Sequence, residues 1–230
     1  MTLGIVGGIG PESTIEYYRQ LLAAWREKRP DGSAPAILIN SIDVNRMLGM
    51  IAAGKLAEVT EYLASEVARL AGAGADFGLL AANTPHVVFE EIRERVSLPL
   101  VSVVAATRDE ALARGLRRLG LFGTRFTMQG QFYPQVFSTA GLTILAPHVD
   151  EQDFIHTRYL GELLRGVFLP ETTERLLQIV DRMKERDGID GLILGGTELP
   201  FALRESSHNG VRFLDTTRIH VNAAVARLLS

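Results

Sequence analysis

The chain has 230 residues, 47% hydrophobic and 22% charged, enough for one large domain or two small ones with separate cores. Its 24 Lys and Arg against 27 Asp and Glu give a net charge of −3, so no basic field exists to attract a nucleic-acid backbone. The absence of cysteine excludes disulfides, thiolate metal sites, iron–sulfur ligation and a cysteine nucleophile. No apolar run approaches the roughly 18 residues of a membrane span. The N-terminus runs straight into the strand-like Leu3-Gly4-Ile5-Val6 with no basic leader, so the expected residence is the cytoplasm.

In chain order, a strand is expected at 4–7, then a helix at 12–26 with Pro11 near its first turn. A strand at 36–40 precedes a helix at 55–71, whose Leu56, Val59, Leu63, Val67 and Leu70 recur at spacings of three and four. Strands follow at 78–81 and 100–103, a helix at 107–113, a strand at 118–122, a helix at 131–138 and a strand at 142–145. Helices at 154–165 and 171–185, strands at 192–194 and 211–214, and a helix at 217–229 complete the chain. Short apolar runs bounded by glycine and alternating with helical stretches predict an α/β fold on parallel sheets.

The chain also repeats itself. Leu3-Gly4-Ile5-Val6-Gly7 returns as Leu119-Gly120-Leu121-Phe122-Gly123, at an offset of 116. Gly74-Ala75-Asp76, a strand and Ala82-Asn83-Thr84 return as Gly188-Ile189-Asp190, a strand and Gly196-Thr197-Glu198, at an offset of 114. Chance recurrence of glycine-rich strand ends is the competing explanation. Two landmarks at nearly one offset favour two pseudo-symmetric α/β halves, 1–104 and 105–216, with the helix at 217–230 free to pack back on the first. A ligand is then expected in a cleft between them, at the carboxyl ends of both sheets.

Four segments carry candidate chemistry. Gly7-Gly8-Ile9-Gly10-Pro11 is a strand-to-helix turn whose backbone N–H groups suit an anion, with Gly8 and Gly10 as the cradle. It is neither a Walker loop, lacking Gly-Lys-Ser/Thr, nor a dinucleotide fingerprint, because Ser13 stands at the third glycine. Ala82-Asn83-Thr84-Pro85-His86 follows an apolar strand, where Asn83 and Thr84 either bind a carboxylate or merely cap a helix. Gly196-Thr197-Glu198 holds the matching place in the second half, and Gly123 to Thr127 supplies Thr124 and Thr127 as a second carboxylate cradle. Arg46, read in a loop from Asn40, could close over a carboxylate with its fork. The other histidines, His148, His156, His208 and His220, show no metal-ligand spacing.

Together these motifs resemble the cofactor-independent aspartate/glutamate racemases, and within them the aspartate racemase branch. Gly7-Gly8-Ile9-Gly10-Pro11 looks like that branch's opening turn, 82–86 like its first catalytic motif and 196–198 like its second. The likeness runs from Leu3 to the C-terminal helix. It implies two similar halves, a cleft holding an Asp- or Glu-like carboxylate, a homodimer, and no pyridoxal phosphate, other cofactor or metal.

In one respect the chain departs from that resemblance. The family carries a cysteine at the head of each catalytic motif, one on each face of the substrate; here those positions are Ala82 and Gly196. A methyl group and a hydrogen cannot move a proton, so the two-thiol mechanism is excluded. Glu198 and His86 are the candidate replacements, with Thr84 and Thr197 beside them, while Gly8, Gly10, Arg46, Asn83, Thr84, Thr124, Thr127 and Thr197 are expected to bind substrate. The leading expectation is proton transfer at the α-carbon of an acidic amino acid or related carboxylate. A lyase, decarboxylase or hydrolase, or a non-catalytic metabolite-binding protein, remain the alternatives.

Overall fold

Nine strands and eleven α-helices alternate through all 230 residues described by the computed structural model. They divide into two units, Met1–Val103 with His220–Ser230, and Val104–Ile219. The first unit holds β1 (Thr2–Gly7), α1 (Pro11–Lys28), β2 (Ala36–Ser41), α2 (Val44–Ala52), α3 (Leu56–Gly72), β3 (Phe77–Leu80), α4 (Phe89–Arg95) and β4 (Leu100–Val101). A 3-10 turn, Thr84–Val88, separates β3 from α4. α5 (Val103–Ala113) carries the chain into the second unit. There follow β5 (Arg118–Phe122), α6 (Arg125–Gln129), α7 (Phe132–Ser138), β6 (Thr143–Leu145), α8 (Val149–Gly161), α9 (Pro170–Asp187), β7 (Gly191–Leu194), α10 (Leu199–Ala202), β8 (Ser207–His208) and β9 (Val211–Asp215). α11 (Thr216–Leu229) returns to the first unit.

The first sheet has the order β2-β1-β3-β4, all parallel; the second has β6-β5-β7-β9-β8, parallel except for the last pair. Omitting β8, the two orders match strand for strand, and Gly4 pairs with Gly78 on β3 as Gly120 pairs with Leu192 on β7. This is the parallel α/β architecture that the alternating pattern predicts.

The central strands are apolar on both faces because helices cover both. Leu3 and Ile5 of β1 pack with Tyr17, Leu21, Leu79, Val221 and Val225, whereas Val6 turns to the other face with Met47, Val59, Leu63, Leu80 and Ile92. In the second unit Leu192 and Leu194 lie against Ile155, Leu176, Ile179 and Val180.

Several expected loops are ordered. The segment carrying Arg46 is not a loop beyond Asp43, because the Asp43 carboxylate accepts the Asn45 N–H at 2.9 Å and starts α2. α8 begins at Val149, five residues before the expected start at 154, because Glu151 accepts the His148 N–H at 3.0 Å in a capping box. α4, α6 and α10 are short helices that the apolar spacing did not mark. β8 was not expected either; Asn209 and Gly210, with φ of 47° and 81°, make the tight turn that joins it antiparallel to β9.

Candidate active site at the strand carboxyl ends

In the first unit the glycine turn and the 82–86 segment lie side by side, because Ala81 N–H donates to the Val6 carbonyl at 3.0 Å across β1 and β3. The turn is held from within. Gly8 N–H donates to Thr14 Oγ1 at 2.8 Å, and the Thr14 hydroxyl in turn donates to the Gly10 carbonyl at 3.2 Å. Gly8 therefore does not offer its N–H to an anion as expected; its donor is taken by the first turn of α1. Its residue type follows from φ of +78° and the nearness of the Ile42 backbone, whose nitrogen would lie 2.6 Å from a Cβ. Gly10, at the N-cap of α1, has φ of +21° and more room: only Ser13 Oγ, at 3.6 Å, would meet a Cβ there.

Asn83 is buried and Thr84 half-buried at the start of the 3-10 turn, where His86 N–H donates to the Asn83 carbonyl at 3.0 Å. Ala82 is half-buried against the first unit's core. His86 is 3% exposed and stacks on Phe89, with ring centroids 4.7 Å apart. Its Nε2 accepts the Val103 N–H at 3.2 Å, so Nδ1 carries the proton and donates to the Ala82 carbonyl at 3.0 Å. Both nitrogens are committed to backbone, which corrects the expectation of His86 as a proton-transfer group. It braces the Ala82 turn against the start of α5.

A second buried histidine joins it. His220 Nε2–H donates to the Val101 carbonyl and Nδ1 accepts the Tyr17 hydroxyl, each at 2.9 Å, and the two imidazoles lie 6.2 Å apart. Burial holds His86 down to about 3, with His220 as a further cause, and burial holds His220 down to about 4. Both values lie below the unfolded 6.5, so on acidification the unfolded chain takes up protons that the fold refuses. Their contribution to stability is fully present above pH 6.5 and is lost progressively as the pH falls towards 4. Urea midpoints of the protein should therefore drop steeply between pH 6.5 and 4.5. His86→Gln/His220→Gln should flatten that slope; an unchanged slope would assign the loss to carboxylates.

Arg46 lies elsewhere in the first unit. Its guanidinium sits 4.4 Å over the Tyr62 ring in a groove of about 410 Å³ between α2 and α3, shared with Glu58, Glu61, Glu66 and Arg69. With three carboxylates against two guanidiniums, this groove is no anion cradle.

In the second unit, Gly195 N–H donates to the Phe122 carbonyl at 2.8 Å, which sets residues 195–198 beside residues 123–127. Thr124 caps α6 by accepting the Thr127 N–H at 3.3 Å, and the two hydroxyls lie 3.2 Å apart. The buried Thr127 methyl fills the space that side chains at Gly123 and Gly195 would need, 3.0 and 3.1 Å from their Cβ positions. Thr197 and Glu198 are both buried, and Glu198 Oε2 accepts the Tyr159 hydroxyl, which also bonds the Thr197 side chain. Burial, then the Glu198 charge, push the Tyr159 phenol well above its ordinary value, so it stays protonated.

Tyr159 was not among the residues expected from sequence. It stands on α8 between Ile155 and Leu163, with which it shares the core, so its spacing reads as packing alone. Its hydroxyl and ring crowd the face of Gly196: a Cβ there would lie 2.7 Å from Cε2 and 2.8 Å from Cζ, and nearer still to Oη. Glycine at 196 is the residue that this placement permits.

The architecture is that of amino-acid racemases. The structure superposes on an Asp/Glu racemase candidate from Yersinia pestis with a TM-score of 0.91 at 27% identity, covering 100% of both chains. An aspartate racemase homologue from Pyrococcus horikoshii gives 0.87 at 31% identity, covering 100% of this chain and 99% of the other. The family model for Asp/Glu/hydantoin racemases matches residues 6–224. The chain belongs to that family. Over 160 residues it is 28% identical to the broad specificity amino-acid racemase RacX of Bacillus subtilis, a match covering 62% of this chain and 63% of that relative's length. No helix is long and apolar enough to cross a membrane.

Proposed function

We propose that the protein transfers a proton at the α-carbon of an acidic amino acid or a related small carboxylate, without thiols and without a cofactor. The observation that carries this reading is Glu198, a buried carboxylate bonded by Tyr159 beyond the end of β7, in a chain that matches a racemase family almost throughout. Racemisation needs a group that takes the α-proton and a group that returns one. With no cysteine in the chain, Ala82 and Gly196 contribute no ionisable group, and Glu198, two residues after Gly196, is a buried carboxylate in the second unit. Asn83 and Thr84 in the first unit, and separately Thr124, Thr127 and Thr197 in the second, are the proposed carboxylate-binding groups.

The lysines fit chemistry without a Schiff base. There are three, Lys28, Lys55 and Lys184, and all are exposed. Lys55 pairs with Glu58 at 2.8 Å and Lys184 donates to the Asn209 carbonyl, so none is a desolvated amine of the kind that holds a carbonyl cofactor.

Proton NMR in D₂O with L- and D-Asp and L- and D-Glu tests the reading. The expected result is loss of the α-proton signal with the substrate's mass otherwise conserved; appearance of the opposite enantiomer on a chiral column would add a proton donor on the second face. An α-proton that persists in all four under excess protein would sink the reading.

A further inference from the structure

We propose that Tyr159 and Glu198 work as one proton relay, with Tyr159 Oη the atom that exchanges a proton with the substrate's α-carbon. The inference rests on the proton-transfer reading above. Three observations place it at Tyr159 rather than at Glu198 alone.

The first is position. Tyr159 Oη occupies the volume that the first side-chain atom of residue 196 would fill, so on this face of the β7 carboxyl end the group standing in for a side chain is the phenol. In open α/β sheets ligands bind beyond the carboxyl ends of the strands. The second is fixity. Tyr159 is 6% exposed and its ring belongs to the core with Phe122, Ile155, Leu163 and Leu194, so the hydroxyl is held over Gly196 and cannot swing aside without opening that core. The third is connection. The hydroxyl donates to Glu198 Oε2 and has the Thr197 side chain as its other partner, which leaves one lone pair of the phenol oxygen to accept a proton.

The step balances without any further reactant. The α-carbon C–H bond breaks, its proton passes to Tyr159 Oη, and the proton already on Oη passes to Glu198 Oε2. The electron pair stays on the α-carbon, delocalised into the substrate carboxylate. While the carbanion persists the relay protons exchange with solvent, and reversal then returns a solvent-derived proton from Oη to the same face of the carbon as Glu198 gives its own back to the phenol. Tyr159 ends each passage neutral, and Glu198 alternates between carboxylate and acid, so no phenolate has to form beside a carboxylate.

The test measures α-proton exchange into D₂O for the protein, for Tyr159→Phe, and for the protein carrying 3-fluorotyrosine at 159. Tyr159→Phe keeps the ring in the core and removes the relay atom; exchange should fall at least about a hundredfold. Because that variant also strips Glu198 of a donor, the fluorinated residue supplies a readout that a purely structural role would not move. A more acidic phenol at unchanged packing alters both proton transfers at Oη, so the exchange rate at a fixed pH should change by at least about threefold. Exchange in Tyr159→Phe within threefold of the parent, or an exchange rate unaltered by the fluorine, would overturn the relay while leaving the proposed function standing. No exchange by the parent protein with any of the four amino acids would overturn both.

Discussion

Glu198→Gln is expected to fold normally, to bind carboxylate ligands, and to lose α-proton exchange by about two to four orders of magnitude. The amide keeps the shape of the side chain and its oxygen still accepts the Tyr159 hydroxyl, so the bond that orders both groups survives. The capacity to take a proton at working pH does not survive, because a carboxamide has no basic oxygen. Binding and chemistry should therefore separate. A ligand that recognises only the folded state raises the melting temperature by mass action whether or not it reacts. Asp and Glu should thus shift the melting temperature of the variant as they shift that of the parent, while exchange disappears. Full exchange in the variant would remove Glu198 from the chemistry, and loss of the ligand-induced shift would make it a binding residue instead.

Gly8→Ala is expected to be the most disruptive single methyl addition in the first unit, with a loss of at least about 3 kcal/mol. Two costs act together. Alanine at φ of +78° is strained by about 1–2 kcal/mol. The new Cβ would also overlap the Ile42 backbone, whose N–H donates to the Gly7 carbonyl at 2.9 Å, and backbone on both sides cannot rotate out of the way. Gly54→Ala provides the comparison, since φ there is +70° with nothing within 4 Å, so it carries strain without overlap. Urea midpoints of the two variants, taken at one pH, measure the overlap by difference. Equal losses would mean that the loop after β2 yields, and that Gly8 is dictated by conformation alone.

Most strands are legible as short apolar runs, with β1, β5 and β7 ended by glycine, and β1 and β5 carry nearly the same words, Leu3-Gly4-Ile5-Val6 and Leu119-Gly120-Leu121-Phe122. What escaped was written in single polar residues. Asp43 alone starts α2, and Asn209-Gly210 makes a hairpin with only two residues in β8, too few to show alternation.

The site divided in the same way. Glu198 and Thr197 lie where a strand ends, and position relative to a strand can be read locally. His86 misled because its residue type suggests proton chemistry, whereas its nitrogens are decided by Val103, 17 residues away. The Gly8 N–H reads as free from the turn alone, whereas Thr14, six residues on, takes it. Tyr159 was hidden by an apolar helical spacing, and its partner Glu198 lies 39 residues further along. Local pattern places elements; hydrogen-bond partners at long separation are a property of the packed chain.

The crowding of Gly196 by Tyr159 also constrains the order in which the two positions can change. Any larger residue at 196 meets a buried, hydrogen-bonded ring, so that substitution is costly while Tyr159 is present and becomes tolerable once 159 has shrunk. The two sites are therefore strongly non-additive, and a lineage or an experimenter wishing to install a thiol at 196 must pass through residue 159 first.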